Sequence, residues 1–382
     1  MKYLLGGYYG MRNAGDDILL YVTLAEVARI DPAARFTVVS DLPETTPPGV
    51  IATMTSGSRR FENIRQMLAH DVWLFGGGGL LQDGATRSRE YLSRLRHAAR
   101  LVKLMRRKIA MLGIGVGPLS THEGRTAAAG LLRAADFATV RDEESAALVA
   151  DLAPEVRVQV AGDLAFLLPP TSIAVADRGP TLGVSLLPYS ASLGRVDADD
   201  GRVVAAMAQA LNRVLDTHPE YSVTLFEFFA GSRAYGDARV LEPLAAGLAF
   251  PERVHYRPYT GDFLALHREM AACTAFVGMR FHSCLLAHLA SVPCLMIAYH
   301  PKSESLTRRL RVNADAVLPL ALLHDGGVLG TRLEMLVSEP DKFRPQASIH
   351  DMNAASATTF KSMTDWLTQQ NSNSIQVRGR SG

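Results

Sequence analysis

The sequence predicts an α/β fold: two Rossmann-like domains, each a doubly wound parallel sheet, facing a cleft. Three observations predict it. Apolar runs of strand length alternate with longer segments of helix length along almost the whole chain. Glycine-rich or polar clusters recur at the C-terminal ends of the apolar runs, where open α/β sheets bind ligands. Residues 169–180, poor in large apolar side chains, divide the alternation into two series. The expected organisation is a first domain over residues 1–170 and a second over 181–345. A C-terminal helix over 350–370 crosses back to the first domain, and residues 371–382 form a disordered tail.

In the first series, residues 2–7 form a strand and 8–16 the turn after it. Asp16 and Asp17 open a helix to residue 29, where acids favour the positive end of the helix dipole. Further strands fall at 36–40, 72–75, 109–114, 137–140 and 157–160, with helices at 56–68, 87–107, 123–135 and one started by 141–145. In the second series the strands are 182–186, 223–227, 254–256, 275–277, 294–298 and 316–318. Its helices are 202–217, 234–248, 263–272, 284–290 and 303–310.

Composition bounds the function. With 382 residues, 48% of them hydrophobic, the chain can build two ordinary cores. A net charge of +2 gives no bulk reason to expect nucleic-acid binding, so any anion recognition is local. The three cysteines, Cys273, Cys284 and Cys294, lack metal-ligand spacing and read as reduced core residues of a cytoplasmic protein. No apolar run approaches the about 20 residues that cross a bilayer, and no signal peptide is evident.

The chemistry gathers in residues 275–303. After the strand 275–277 come Arg280, His282 and Ser283; after the strand 294–298 come His300, Lys302 and Ser303. Two adjacent βα turns would thus bring a guanidinium, imidazoles and an ammonium to one rim. That is a set suited to a small, strongly anionic ligand. Any one of these residues, taken alone, reads equally as a solvated or structural residue. Gly76-Gly-Gly-Gly79, with Gly77 and Gly78 at its centre, could admit a ligand to the backbone or serve as a tight packing turn. It matches neither a P-loop nor a dinucleotide fingerprint. Arg141, at the end of strand 137–140, could bind an anion or pair with Asp142 to Glu144.

Several motifs together resemble the polysaccharide pyruvyl transferase family: Gly7-Tyr-Tyr-Gly-Met-Arg-Asn13-Ala-Gly15-Asp16, Gly76-Gly-Gly-Gly-Leu-Leu-Gln-Asp83, Gly115-Val-Gly-Pro118, Val140-Arg-Asp-Glu-Glu-Ser145, Gly162-Asp163, Gly278-Met-Arg-Phe-His-Ser283 and Pro301-Lys302. They fall in the family's order over residues 3 to about 310, with Asp17 where Glu is frequent and Phe281 where Leu is frequent. The resemblance implies a glycosyltransferase-B-like arrangement and phosphoenolpyruvate as donor and co-substrate, with no cofactor. The product would be a pyruvyl ketal on a sugar of a polysaccharide or of its lipid-linked precursor. It assigns donor binding to Arg141, Arg280, His282 and Lys302.

The residues suit that chemistry. Cations match the donor's carboxylate and phosphate, and His282 is the candidate general acid and base. Asn13, Asp16, Gly77 and Gly78 are expected to hold the sugar, Ser283 to bind substrate, and no metal is called for. The competing enzyme class is a nucleotide-sugar-dependent glycosyltransferase, with Arg280 and Lys302 on the diphosphate and Glu227 or Glu304 on the nucleoside. A non-catalytic anion- or carbohydrate-binding module is the third. The arginines of the helices at 56–68 and 87–107 could meet an anionic membrane at the inner face of the cell membrane, or could form solvated faces.

Overall fold

The computed structural model describes residues 1–40, 45–55, 60–84, 86–171, 173–174, 178–190, 200–231 and 235–378. Two compact units emerge. The first comprises Met1–Gly10, Ile18–Leu168 and Met352–Gly382; the second comprises Met11–Asp17 and Pro169–Asp351.

In the first unit β1 (Lys2–Leu5), β2 (Arg35–Val39), β3 (Ala52–Thr55), β4 (Val72–Gly76), β5 (Lys108–Ile114), β6 (Phe137–Val140) and β7 (Gln159–Val160) form one parallel sheet. Its order is β3-β2-β1-β4-β5-β6-β7. Every residue of β4 is buried, as expected of a central parallel strand covered on both faces. The helices are α1 (Ala14–Ile30), α2 (Arg60–Ala69), α3 (Thr86–Leu104), α4 (His122–Ala134) and α5 (Glu143–Leu152). The Thr121 hydroxyl caps α4 and the Asp142 carboxylate caps α5, each accepting a backbone N–H of the first turn.

The second unit repeats the plan with β8 (Gly179–Ser185), β9 (Ser222–Phe226), β10 (Val254–Arg257), β11 (Cys273–Gly278), β12 (Cys294–Ala298) and β13 (Val317–Pro319). Its order, β10-β9-β8-β11-β12-β13, places the reversal of winding at β8 and β11. Around it lie α6 (Asp200–Thr217), α7 (Ala238–Ala246), α8 (Phe263–Ala271), α9 (Phe281–Leu289), α10 (Pro301–Leu310) and α11 (Gly326–Ser338). The sheet buries Leu182, Val184, Val223, Leu225, Val277, Leu295 and Ile297 against Met207, Leu211 and Leu333 of α6 and α11.

The last helix, α12 (Ile349–Arg378), packs on the first unit. Ser356 donates to the Asp163 carbonyl at 2.8 Å, Asn353 to the Phe166 carbonyl at 3.2 Å, and Trp366 stacks on Phe137. Gly162 admits it closely, since a Cβ there would lie 2.2 Å from the Ser356 hydroxyl. The helix runs past residue 370, where the sequence reading begins a disordered tail. No glycine or proline interrupts the chain before Gly379. Residues 379–382, and residues 56–59 of the expected second helix, lie outside the described residues.

Candidate active site

Arg280, His282 and Ser283 follow β11 at the head of α9, and His300 and Lys302 follow β12 at the head of α10. The two strands are neighbours, with Gly278 in register with Met296. The second unit therefore does bring both clusters to the C-terminal edge of one sheet.

Arg280 is held along one edge of its guanidinium by a buried acid. Nε lies 2.8 Å from each oxygen of Asp237, and Nη2 is hydrogen-bonded to the same carboxylate. Asp237 is fully buried and also accepts the backbone N–H groups of Phe228 at 2.9 Å and Phe229 at 3.0 Å. The guanidinium carbon sits 5.2 Å from the centre of the Phe229 ring, within cation–π range. Burial by itself disfavours the charged guanidinium, but Asp237, through charge and hydrogen bonds, and Asp16 and Tyr299, through charge, push its pKa above the ordinary arginine value. Arg280 is a fixed cation whose Nη1 side is the one not committed to Asp237.

Ser283 is fully buried and donates to the Arg280 carbonyl at 2.8 Å. That bond anchors the first turn of α9. His300 is the N-cap of α10, its Nδ1 accepting the Lys302 backbone N–H at 3.2 Å. Lys302 is half-buried at the second position of that helix. Burial raises the phenol pKa of neighbouring Tyr299, the charges of Asp237 and Cys284 adding to the effect and that of Arg280 opposing it.

Asn13 and Asp16 belong to the second unit, not to the first as the sequence reading has it. Backbone pairing is the reason. Asn13 bridges Phe229 in antiparallel fashion, the Ala14 N–H donates to the Phe228 carbonyl at 2.8 Å, and the Ala230 N–H donates to the Arg12 carbonyl at 3.0 Å. The Tyr259 hydroxyl adds a bond to Asp17. Gly15 lies directly against the His282 ring. Asn13, Gly15 and Asp16 thus join the cluster of Arg280 and His282.

Arg141, Gly77 and Gly78 belong to the first unit. Arg141 is only 4% exposed and pairs with Asp142 at 3.2 Å and Asp163 at 3.3 Å. Its partner Asp142 is within the set anticipated from sequence; Asp163, from the Gly162-Asp163 motif, is not. Gly77 and Gly78 adopt φ of +75° and +81°, and a Cβ on Gly77 would lie 2.8 Å from a Leu19 methyl. The Gly77 N–H donates to Leu112 and the Gly78 carbonyl accepts from Gly115. Their geometry is that of a packed turn after β4, tied by these bonds to the end of β5. Asp83 of the same motif holds the backbone and hydroxyl groups of Ser120 and Thr121.

Sequence reasoning missed Asp237. It precedes Arg280 by 43 residues, and only its place just before α7 distinguishes it, although its side chain makes no capping bond there. It also missed Ser185 at the end of β8, fully buried with no hydrogen-bond partner for its hydroxyl among the described residues. Glu227, a nucleoside-binding candidate of the competing reading, is buried and accepts the Tyr259 backbone N–H at 3.0 Å. Burial and the charge of Asp237 raise its pKa. Glu304 is exposed. Among the described residues no group of His, Cys, Asp and Glu could hold a metal ion, and no helix is long and apolar enough to cross a membrane.

The two parallel sheets with Rossmann strand orders define a GT-B-like α/β protein. Staphylococcus aureus MnaA with UDP matches it with a TM-score of 0.60 and 10% identity, over 93% of this chain and 90% of that one. The UDP-GlcNAc 2-epimerase of Neisseria meningitidis bound to UDP-GlcNAc matches at 0.60 and 10%, over 97% and 100%. Anabaena HepE in complex with UDP-glucose matches at 0.59 and 13%, over 98% and 100%. At such identities the likeness is one of fold. Comparison with curated protein sequences gave no match. Residues 13–301 match the polysaccharide pyruvyl transferase family, and the chain belongs to that family of enzymes.

Proposed function

We propose that this enzyme moves the enolpyruvyl group of phosphoenolpyruvate onto a sugar of a cell-surface polysaccharide or its lipid-linked precursor, forming a pyruvyl ketal and releasing phosphate. Family membership supports the reaction class. The observation that carries the residue assignment is the convergence of Arg280, His282 and Lys302 at the C-terminal ends of the neighbouring strands β11 and β12.

In this reading Lys302 and the Nη1 side of Arg280 hold the donor's carboxylate and phosphate, and both stay in place as negative charge moves to the leaving phosphate. His282 delivers a proton to the methylene carbon, which becomes the methyl group, and C2 develops positive character. A sugar hydroxyl adds to C2 and returns its proton to the imidazole. The C2–O bond to phosphate then breaks, and a second hydroxyl of the same sugar closes the ketal, its proton leaving with phosphate. One donor and one diol give one ketal and one phosphate, and no cofactor enters. Arg141, held by Asp142 and Asp163 within the first unit, carries no step in this reading.

Thermal-shift and calorimetric titrations test the donor: phosphoenolpyruvate should stabilise and bind the protein, whereas UDP or GDP should not. Stabilisation by a nucleotide and not by phosphoenolpyruvate would establish the glycosyltransferase reading instead. Mass spectrometry of the host's surface glycan, with and without this protein, then reads the loss of a pyruvyl ketal and identifies the sugar that carries it.

A further inference from the structure

Gly15 lies in the first turn of α1, a place where glycine weakens a helix relative to alanine. Its φ is not in the left-handed region, so the backbone does not call for glycine. The His282 ring does. A Cβ on Gly15 would lie 2.0 Å from Nδ1, 2.7 Å from Cγ and 2.8 Å from Cε1 of His282. The three nearest atoms all belong to that imidazole.

The backbone at Gly15 is not free to withdraw. Its N–H donates to the Asn13 side chain at 3.1 Å. Asn13 bridges Phe229, and the flanking Arg12 and Ala14 are hydrogen-bonded to Ala230 and Phe228. Phe228 and Phe229 in turn donate to Asp237, which grips Arg280. One run of hydrogen bonds therefore fixes both the wall behind His282 and the guanidinium two residues before it. If a methyl group were added to that wall, the side chain would yield and the main chain would stay.

We propose that Gly15 is a positioning residue, whose missing side chain seats the His282 imidazole against the backbone of α1 in the orientation that delivers the proton. This rests on the reading of His282 as the general acid. It assigns Gly15 an orienting role at the donor site and makes the segment Met11–Asp17 part of that site's wall.

The test uses the full chain as parent, Gly15→Ala, His282→Gln and the double variant. The probes are phosphoenolpyruvate and the ketal-free surface glycan from host cells lacking this protein. Gly15→Ala should melt no lower than the parent and bind phosphoenolpyruvate within about threefold of it. It should lose turnover by about 10²-fold or more, as His282→Gln does, with no further multiplicative loss in the double variant. If Gly15→Ala keeps turnover within threefold while His282→Gln loses it, the positioning role is overturned and the general acid stands. If His282→Gln itself keeps turnover, the general-acid reading falls and the proposal falls with it. Should Gly15→Ala not fold, NMR of the parent decides: a contact between the Gly15 α-protons and the His282 ring protons is required, and its absence overturns the proposal.

Discussion

Asp237 holds Arg280 along one edge of its guanidinium, with Nε 2.8 Å from both carboxylate oxygens. Asp237 is fully buried and the Arg280 side chain only 17% exposed. Removing the arginine would strand a carboxylate away from water. Arg280→Ala should therefore lower the unfolding free energy by about 3–5 kcal/mol, and Asp237→Asn in the same chain should restore part of it. Urea unfolding measures both. Equal stability of Arg280→Ala and the parent would show that the pair is not coupled. Any donor-binding loss in Arg280→Ala is meaningful only beside the double variant, because the single variant disturbs the β11–α9 turn.

Lys302 is the cleaner probe of anion binding. It stands half-buried at the start of α10, and helix capping at this end comes from His300. Lys302→Ala should weaken phosphoenolpyruvate binding by about 1.5–3 kcal/mol, the range of one charge-assisted contact, and leave the melting temperature close to that of the parent. Calorimetric titration at two salt concentrations checks it. Unchanged affinity would remove Lys302 from the site.

Gly77 separates packing from binding in the first unit. With φ at +75° and a Leu19 methyl 2.8 Å from where its Cβ would stand, Gly77→Ala meets backbone strain of about 1–2 kcal/mol and overpacking of about 1–3 kcal/mol. Denaturant unfolding should register the sum as lost stability. A variant that stayed fully stable but lost turnover would instead return Gly77 to the substrate-binding set.

Two histidines give the second unit a pH dependence of known sign. Burial pushes His267 and His288 down to about 4, a backbone hydrogen bond partly opposing it at His267. The unfolded chain protonates both near pH 6.5, whereas the folded chain leaves them neutral until about pH 4. Between these values the unfolded state holds more protons, so stability falls as pH drops from 6.5 toward 4. The slope reaches about 1.4 kcal/mol per pH unit for each histidine. Urea unfolding of the parent and of His288→Gln at pH 7.0, 5.5 and 4.5 should show a shallower loss in the variant. Parallel curves would contradict the assignment.

Much of the fold was legible because parallel strands are short, apolar and followed by polar turns. Val72–Gly76 and Cys294–Ala298 announce themselves in this way. The strand Ala52–Thr55 escaped notice because it lies at the sheet edge, where exposed and half-buried residues such as Thr53 and Met54 dilute the apolar signal. The helix Gly326–Ser338 opens on two glycines, which read as a loop although Asp325 caps it. At the site, the cations at strand ends were visible in sequence, but their partners were not. Nothing local ties Asp237 to Arg280, or Asn13 to Phe229, because those contacts join segments 43 and more residues apart and exist only once the second sheet has formed.

Because Met11–Asp17 groups with the second unit while the residues on either side of it group with the first, the chain passes from one unit to the other four times. A boundary drawn at residue 169 therefore does not cut the protein into two self-sufficient modules. A hybrid taking its N-terminal half from one relative and its C-terminal half from another would bring together an Asn13-to-Asp16 loop and a Phe228-to-Arg280 partner surface with different ancestries. Such a hybrid should fold as stably as its parents only where that loop travels with the C-terminal half. Within this chain, the small N-terminal loop and the distant C-terminal half form one structural piece.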